Sequence, residues 1–516
     1  FDSSSAPHPP VANPPVHLTL SAFDMDSATV PPEVRGLASA SGGGAAAGDG
    51  YGAVTASKDP SRKRLSLPPL TGRNSTVITA GIIIADLVGA GILSLGMAVA
   101  KFGWLLGAVM MVLLLAVNVH TSLLLWRLKM GFPSAYTYLD LSSAAFSLAP
   151  EWQRRLAERM TLTAQQLHIF LGRGLYSLTI GRSLGELFYS ELHLCLPWLV
   201  FLGLLGFLPV FIYARSMGTS RFLIALNVLT ILGSVIIPLV YMAVAGVAET
   251  RLPGGTVRAV EDFSVTSELS GLGVVCFSFA SQVMLVEIMA EMREPAEFPQ
   301  AYMISTPFQL IMYLVAGVGA YWYMGSRASG ILMDNLPFGP TLRVASACLL
   351  VHMLIAFLIK GVVFNRWAQQ TWNASGLNDT SLSGWLGWAA TVTVGTGLSW
   401  FAAQLVPFFA ELVDLMGATT VPLLSYVFPI LMYLRWLHDT GNLASVGPWE
   451  VCALALEACL AVLCLSFGTY HAMVTILGRW DTFGMPFSCH CENMWATCAC
   501  SSHHPGMEQC VAAGPR

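Results

Sequence analysis

The sequence has little charge. Of 516 residues, 26 are Lys or Arg and 30 are Asp or Glu, 11% in all, whereas soluble domains carry about a quarter. With 55% hydrophobic residues and a mean hydropathy of +0.63, the chain is expected in a bilayer. Its net charge is −4, so the basic surplus that marks nucleic-acid binding is missing. No HExxH, P-loop or GxSxG occurs in it. The hydrolase and nucleotide-binding readings therefore lack a motif, and the chain is not expected to be an enzyme. The first 75 residues hold no apolar h-region, so no secretory signal peptide is read there and the first span acts as its own insertion signal. The chain begins with Phe1 rather than Met, which fits an incomplete N-terminus.

Three regions follow from composition. Residues 1–75 are rich in Pro, Ser, Gly and Ala, as in "ASGGGAAAG" at Ala40–Gly48, and read as a disordered cytoplasmic tail. Arg62, Lys63 and Arg64 near its end read as a topogenic cluster. Residues 477–516 form a Cys/His-rich tail, with five of the eleven cysteines in the last 28 residues. Its "CHCENMWATCACSSHH" (Cys489–His504) matches no zinc spacing, and disulfides or no defined role are favoured over metal. The other six cysteines sit in apolar segments, where Cys behaves as a small hydrophobe.

Between the tails, apolar segments of about 20 residues recur, each long enough to cross about 30 Å as a helix. Eleven are placed, near 76–99, 104–126, 161–181, 195–214, 222–246, 271–292, 301–325, 342–365, 384–407, 411–434 and 450–476. Lys and Arg counts set the orientation. With the N-terminus inside, the cytoplasmic face collects the Lys58–Arg73 cluster and Arg127, Lys129, Arg154, Arg155, Arg159, Arg215, Arg221, Arg293, Arg366 and Arg435. The outer face receives Lys101, Arg182, Arg251, Arg258, Arg327, Arg343, Arg479 and Arg516. On this topology the sequons at Asn373 and Asn378 are cytoplasmic and carry no sugar.

Ionisable residues inside spans are functional hypotheses by default. They include Asp86, Arg173, Glu287, His352, Lys360, Asp414 and Glu457, although each also has a structural reading as half of an ion pair. Two places combine charge with helix-weakening residues. In "ADLVGAGILSLGMA" (Ala85–Ala98), Asp86 precedes Gly89, Gly91 and Gly96. In "CFSFASQVMLVEIMAEMREP" (Cys276–Pro295), Ser278, Ser281 and Gln282 precede Glu287 and Glu291. A broken helix in a membrane frees backbone groups, tolerated only beside protein or a watery cavity. Breaks in the first and sixth spans, five apart, fit an inverted five-plus-five repeat, while glycine in a membrane helix also has an ordinary packing reading.

At these residues the chain resembles the amino acid/auxin permease family of the amino acid–polyamine–organocation superfamily. "VGAGILSLGMAVAKFGWLLG" (Val88–Gly107), "YTYLDLSSAAF" (Tyr136–Phe146), "FSFASQVMLVEIMAEMREPAEFPQA" (Phe277–Ala301) and "LVDLMGATTVPLLSYVFPILMYL" (Leu412–Leu434) are similar to its blocks, in order, over about 76–476. Two residues depart. Gly96 stands where the family has Pro, and Gln282, which cannot titrate, where it often has His.

The resemblance implies an all-α polytopic membrane protein with the leucine-transporter-type fold, ten spans in two inverted repeats plus an eleventh. It implies amino acid transport coupled to protons or sodium, in the plasma membrane or a vacuolar or lysosomal membrane. Substrate is then expected at Gly89, Ala90, Gly91 and Ile92, whose freed amides take the carboxylate. Carbonyls around Phe277, Ser278, Ala280 and Ser281 take the ammonium, and Tyr176 is a gate or carboxylate partner. Ion coupling is expected at Asp86 and Glu287, with Arg173 pairing one of them or an acidic substrate, and Ser346 as a sodium ligand. No cofactor is expected beyond Na+ or H+. The partners are the amino acid and the bilayer. The alternative is a transporter-like sensor that binds an amino acid and signals through the N-terminal tail.

Overall fold

The computed structural model describes residues 74–487, except 189–190, 192–193, 216–220, 252–253, 329, 374–378 and 484–485. Residues 1–73 and 488–516, with the C-x-C pairs, and Asn378 lie outside the described residues.

The chain is built almost wholly of helices. The first span is split into α1 (Thr76–Leu87) and α2 (Leu95–Phe102), joined by a 3-10 turn over Ala90–Ser94. Then come α3 (Trp104–Gly131), a short α4 (Tyr138–Ala145), α5 (Glu151–Leu187), α6 (Leu196–Tyr213) and α7 (Arg221–Ala245). The sixth span is split into α8 (Val265–Phe279) and α9 (Gln282–Ala290), and α10 (Phe298–Met324), α11 (Pro340–Asn373) and α12 (Leu382–Leu405) follow. The tenth span joins α13 (Phe409–Ala418) to α14 (Phe428–Asp439) through a π segment at Leu423–Val427. The last, α15 (Pro448–Leu463) and α16 (Thr469–Phe483), carries another at Cys464–Gly468.

Among the described residues, eight helices are long and apolar enough to cross a membrane, and the bent pair α1–α2 makes nine. The expected count of eleven needs α5 and α12 as well. Both have the length, 37 and 24 residues, but not the apolarity. Their polar residues point inward: Gln165, His168, Arg173, Ser177 and Thr179 of α5 are buried, as are Thr391, Thr396 and Ser399 of α12. A span needs apolar residues only on the face it turns to lipid, and on α12 that face holds Leu386, Val394 and Leu398, all exposed. Elsewhere the lipid-facing belt includes Val109 and Val112 of α3 and Trp198 and Leu205 of α6, all exposed.

The packing repeats with a shift of five spans. The third and eighth spans pack on each other. The fifth packs on the eighth as the tenth does on the third, the first on the seventh as the sixth does on the second, and the first on the fifth as the sixth does on the tenth. A shift by an odd number of crossings reverses chain direction, so the two halves are inverted copies. The end where the first span begins is called here the proximal face, and the end where it finishes the distal face.

Each face closes on the first span. Proximally, Asn74 donates from its amide to the Glu291 carbonyl (3.0 Å) and accepts from the Arg293 amide (3.0 Å), and its Nδ2 donates to Glu291 Oε2 at 3.3 Å. The start of α1 is thereby latched to the end of α9. Distally, the Trp104 and Leu105 amides donate to the Arg258 and Ala259 carbonyls. Gly103 turns this corner at φ 85°, and a Cβ there would meet the Ala259 carbonyl oxygen at 2.7 Å. Of the six cysteines outside the tail, Cys276 and Cys464 are buried as expected of small apolar residues, but Cys195 is disulfide-bonded.

Candidate functional site

The two broken spans meet at their breaks. The first helix turns by 43° between Asp86 and Ala90, with Val88 and Gly89 outside helical geometry (ψ 66° and −145°). The second breaks at Ala280, whose ψ of 107° is extended. Where they cross, a Cβ on Gly91 would lie 2.7 Å from both Cα and Oγ of Ser278. Only glycine lets the two backbones approach this closely. Four helix ends therefore converge: the carbonyl ends of α1 and α8, and the amide ends of the 3-10 turn and α9.

Some freed groups have partners. The Ala85 carbonyl accepts from Asn227 Nδ2 of α7 (3.2 Å), and the Ser278 carbonyl from the Tyr313 hydroxyl of α10 (2.6 Å). The Phe277 carbonyl accepts from the Ala280 amide, and the Ile92 amide donates to the Gly89 carbonyl at 3.3 Å. Ala90 and Gly91 open the 3-10 turn, so their amides have no acceptor within it. The side chains of the second break are occupied: Ser278 Oγ donates to the Val274 carbonyl, and Ser281 Oγ meets the Tyr302 hydroxyl at 3.2 Å. The backbone, not these hydroxyls, is what the break leaves for a ligand.

Gln282 locks the break. Its Nε2 faces Asn118 Oδ1 (3.0 Å) and Thr121 Oγ1 (2.9 Å) of α3, and its Oε1 accepts from the Ser281 amide (3.0 Å). Asn118 continues to the Tyr426 hydroxyl in the tenth span. At Gly96, a Cβ would press 2.8 Å from the Cβ of Ala320. The small residue there is a packing contact with α10, and the bend itself lies two turns earlier.

The charged residues fall in several separate places. Asp86 of α1 forms a 3.1 Å ion pair with Lys360 of α11. Tyr176 of α5 and Glu287 of α9 act on Lys360 only through longer-range electrostatics. Glu287 Oε1 accepts from the Tyr138 amide at 3.1 Å, an anion at the amide end of α4, and from Gln165 Nε2 at 3.4 Å. The Tyr138 hydroxyl donates to the Leu424 carbonyl, within the π segment, where normal helix bonding is disrupted.

Ser346 lies elsewhere: its Oγ donates to Glu186 Oε2 at 2.6 Å, near the Arg182–Asp334 ion pair, on the distal half. Arg173 forms an ion pair with neither Asp86 nor Glu287. Its guanidinium packs on the rings of Phe357 and Phe364 and bonds Asn365, all of α11. At the distal face Lys101, Ser270, Glu411, Asp414 and His471 line a cavity of about 240 Å³, in which Asp414 Oδ2 and His471 Nδ1 are 3.9 Å apart. Lys360 is among the in-span charges expected from the sequence, but its partner Asp86 is not legible there, and His471, whose partner Asp414 is far away in sequence, gave no local signal. Glu457 is tied to His120 of α3, which anchors the last span.

The sequence matches the transmembrane amino acid transporter protein family over residues 72–474. It is 22% identical to the N amino acid transport system protein of Neurospora crassa, over 79% of this chain and 86% of that one. It is 26% identical to amino acid transporter AVT3C of Arabidopsis thaliana (74% and 91%), and 25% identical to amino acid transporter ANT1 of the same plant (81% and 97%). Among solved structures, MhsT in complex with L-phenylalanine aligns over 78% of this chain and 97% of that one, at 14% identity and a TM-score of 0.46. The chain is thus a multi-pass membrane protein that belongs to the transmembrane amino acid transporter family.

Proposed function

We propose that the chain is a secondary active transporter of amino acids, working by alternating access and driven by protons. The observation that carries this reading is the backbone crossing of Gly91 and Ser278. It offers a zwitterion both of its needs in one place. The amides of Ala90 and Gly91, at a helix N-terminus, suit a carboxylate. The carbonyls that end α8, around Phe277–Ala280, suit an ammonium. Backbone ligands recognise the part common to all amino acids, and side chains around them select among R groups.

Protons are favoured over sodium by the group around Lys360. A cation already stands beside the first break, held by Asp86 at 3.1 Å. A sodium ion there would be repelled by that ammonium. Gain or loss of a proton by Asp86 or Glu287 changes the net charge of the group without needing a vacant cage. One charge moved through 100 mV contributes about 2.3 kcal/mol, enough for roughly fiftyfold accumulation. The charge bias of the loops puts the proximal face in the cytoplasm. The Asn74–Glu291 latch then closes the inner end, and the polar cavity beside Lys101 and Asp414 lies on the outer side.

The test is competition against uptake of a labelled neutral amino acid. Free L-amino acids are expected to compete, and their methyl esters and N-acetyl derivatives to fail. Equal competition by the methyl ester would contradict a site built from backbone amides that hold a carboxylate.

A further inference from the structure

Arg173 is 1% exposed, in the middle of the bundle. Among the described residues no carboxylate lies within ion-pair distance of it. Its Nη1 donates to Asn365 Oδ1 at a long 3.3 Å. Its guanidinium faces the rings of Phe357 (4.7 Å) and Phe364 (5.0 Å). Nε and Nη2 have no acceptor, and the buried Thr396 hydroxyl has no partner either. Arg173, Asn365 and Thr396 all border one small cavity of about 10 Å³, walled on the apolar side by Phe211 and Phe357. Two glycines make the room. A Cβ at Gly361 would stand 4.0 Å from the Arg173 Cζ, and one at Gly395 would collide with Asn365 Oδ1 and approach Arg173 Nη1 to 3.3 Å.

We propose that this cavity, between α5, α6, α11 and α12, holds a halide-sized monovalent anion, chloride in the cell, bound by Arg173 Nε and Nη2 and the Thr396 hydroxyl. A guanidinium stays protonated, and a lone buried charge is strongly unfavourable. Ring faces attract the cation but do not neutralise it. Water would satisfy the orphan donors yet leave the charge uncompensated. A halide does both, because it accepts from N–H and O–H and carries one negative charge. The size favours it over a substrate carboxylate, since a cavity of this volume admits about one small sphere and not a planar three-atom group with its carbon chain. The anion would sit between Arg173 of α5 and Asn365 of α11, which both border the cavity. There it would fasten these two helices, one from each inverted half.

The experiment is thermal unfolding of the purified full chain at constant ionic strength, with chloride, bromide, acetate or gluconate as the anion. Chloride and bromide are expected to raise the midpoint saturably, and acetate and gluconate to leave it unchanged. Arg173→Gln is expected to abolish the chloride shift. Thr396→Val, which removes one donor, should weaken apparent chloride affinity roughly tenfold, as loss of one hydrogen bond implies. Where Arg173→Gln fails to fold, Thr396→Val decides. The proposal is overturned by equal midpoints in chloride and gluconate, which means water alone fills the cavity. It is overturned equally by acetate matching chloride, by a chloride shift that survives Arg173→Gln, or by unchanged chloride affinity in Thr396→Val.

Discussion

The Asp86 carboxylate and the Lys360 ammonium lie 3.1 Å apart, and they belong to different halves of the inverted repeat. Asp86 lies in the last turn of α1 of the first half, two residues before the break at Val88, and Lys360 sits within α11 of the second. Both side chains are mostly buried, at 23% and 13% exposure. Under the proposed alternating access, movement of α1 against α11 would stretch or break this pair.

Removal of either partner leaves the other charge poorly compensated. Asp86→Asn and Lys360→Gln are each expected to lower stability, and the double variant to recover part of the loss, with a coupling of about 1–3 kcal/mol. Denaturant titration of the four proteins in lipid nanodiscs measures it. Simple additivity would show that the pair does not interact. Asp86→Asn is also expected to abolish concentrative uptake or alter its pH dependence.

Gly91→Ala puts a methyl group 2.7 Å from the Ser278 backbone, where no flexible side chain exists to yield. Overpacking of this kind costs about 1–3 kcal/mol, so the variant is expected to fold and to lose amino acid uptake. Wild-type uptake by Gly91→Ala would remove the crossing from the mechanism.

At Gly96 the obstacle is a methyl group, the Cβ of Ala320 at 2.8 Å. Gly96→Ala is therefore expected to destabilise, and Ala320→Gly in the same chain to restore stability. Thermal unfolding that shows no rescue would contradict the packing account of this position.

Burial in the proximal latch pushes the Glu291 carboxyl above its ordinary value of 4.5, with the Asn74 amide pulling the other way. An open inner end rehydrates the group and returns it toward that value. The closed latch then binds the proton more tightly than the open one. Its extra stability is fully present below 4.5 and is lost as pH rises through the raised value. A single cysteine at Ser75 is expected to react more slowly at acid pH, after correction for thiolate content, and Glu291→Gln to flatten this dependence. A profile unchanged by Glu291→Gln would contradict it.

Gln282→Ala removes the amide that holds Asn118 and Thr121 of α3 and leaves buried polar groups unsatisfied, at a cost of about 1–3 kcal/mol. Since Gln does not titrate, the pH profile of residual uptake is expected to stay as in the wild type. A shifted profile would show that Gln282 takes part in proton coupling.

The breaks were legible in the sequence because glycine weakens a helix and charge is costly in an apolar run. The crossing of Gly91 with Ser278 was not, since it depends on two helices that are far apart in the chain. Lys360 read as half of an ion pair, but its partner did not show. Ser346 was placed as a sodium ligand by helix position alone; Glu186, which accepts its proton, is 160 residues away. Arg173 and Tyr176 are three residues apart on α5, which suggested a shared site. Arg173 instead packs on Phe357, Phe364 and Asn365, partners that the local sequence does not show. Gly96, where the family has Pro, permits a bend without forcing one, and the bend occurs at Val88 and Gly89.

The central claim is flux driven by protons. Its most direct test is uptake of labelled neutral amino acids into sodium-free proteoliposomes under an imposed pH gradient. The account predicts accumulation above the external concentration, collapsed by a protonophore and unaffected by added sodium. Binding without uptake, as expected of a sensor, would contradict it, and so would uptake that follows a sodium gradient and ignores the pH gradient.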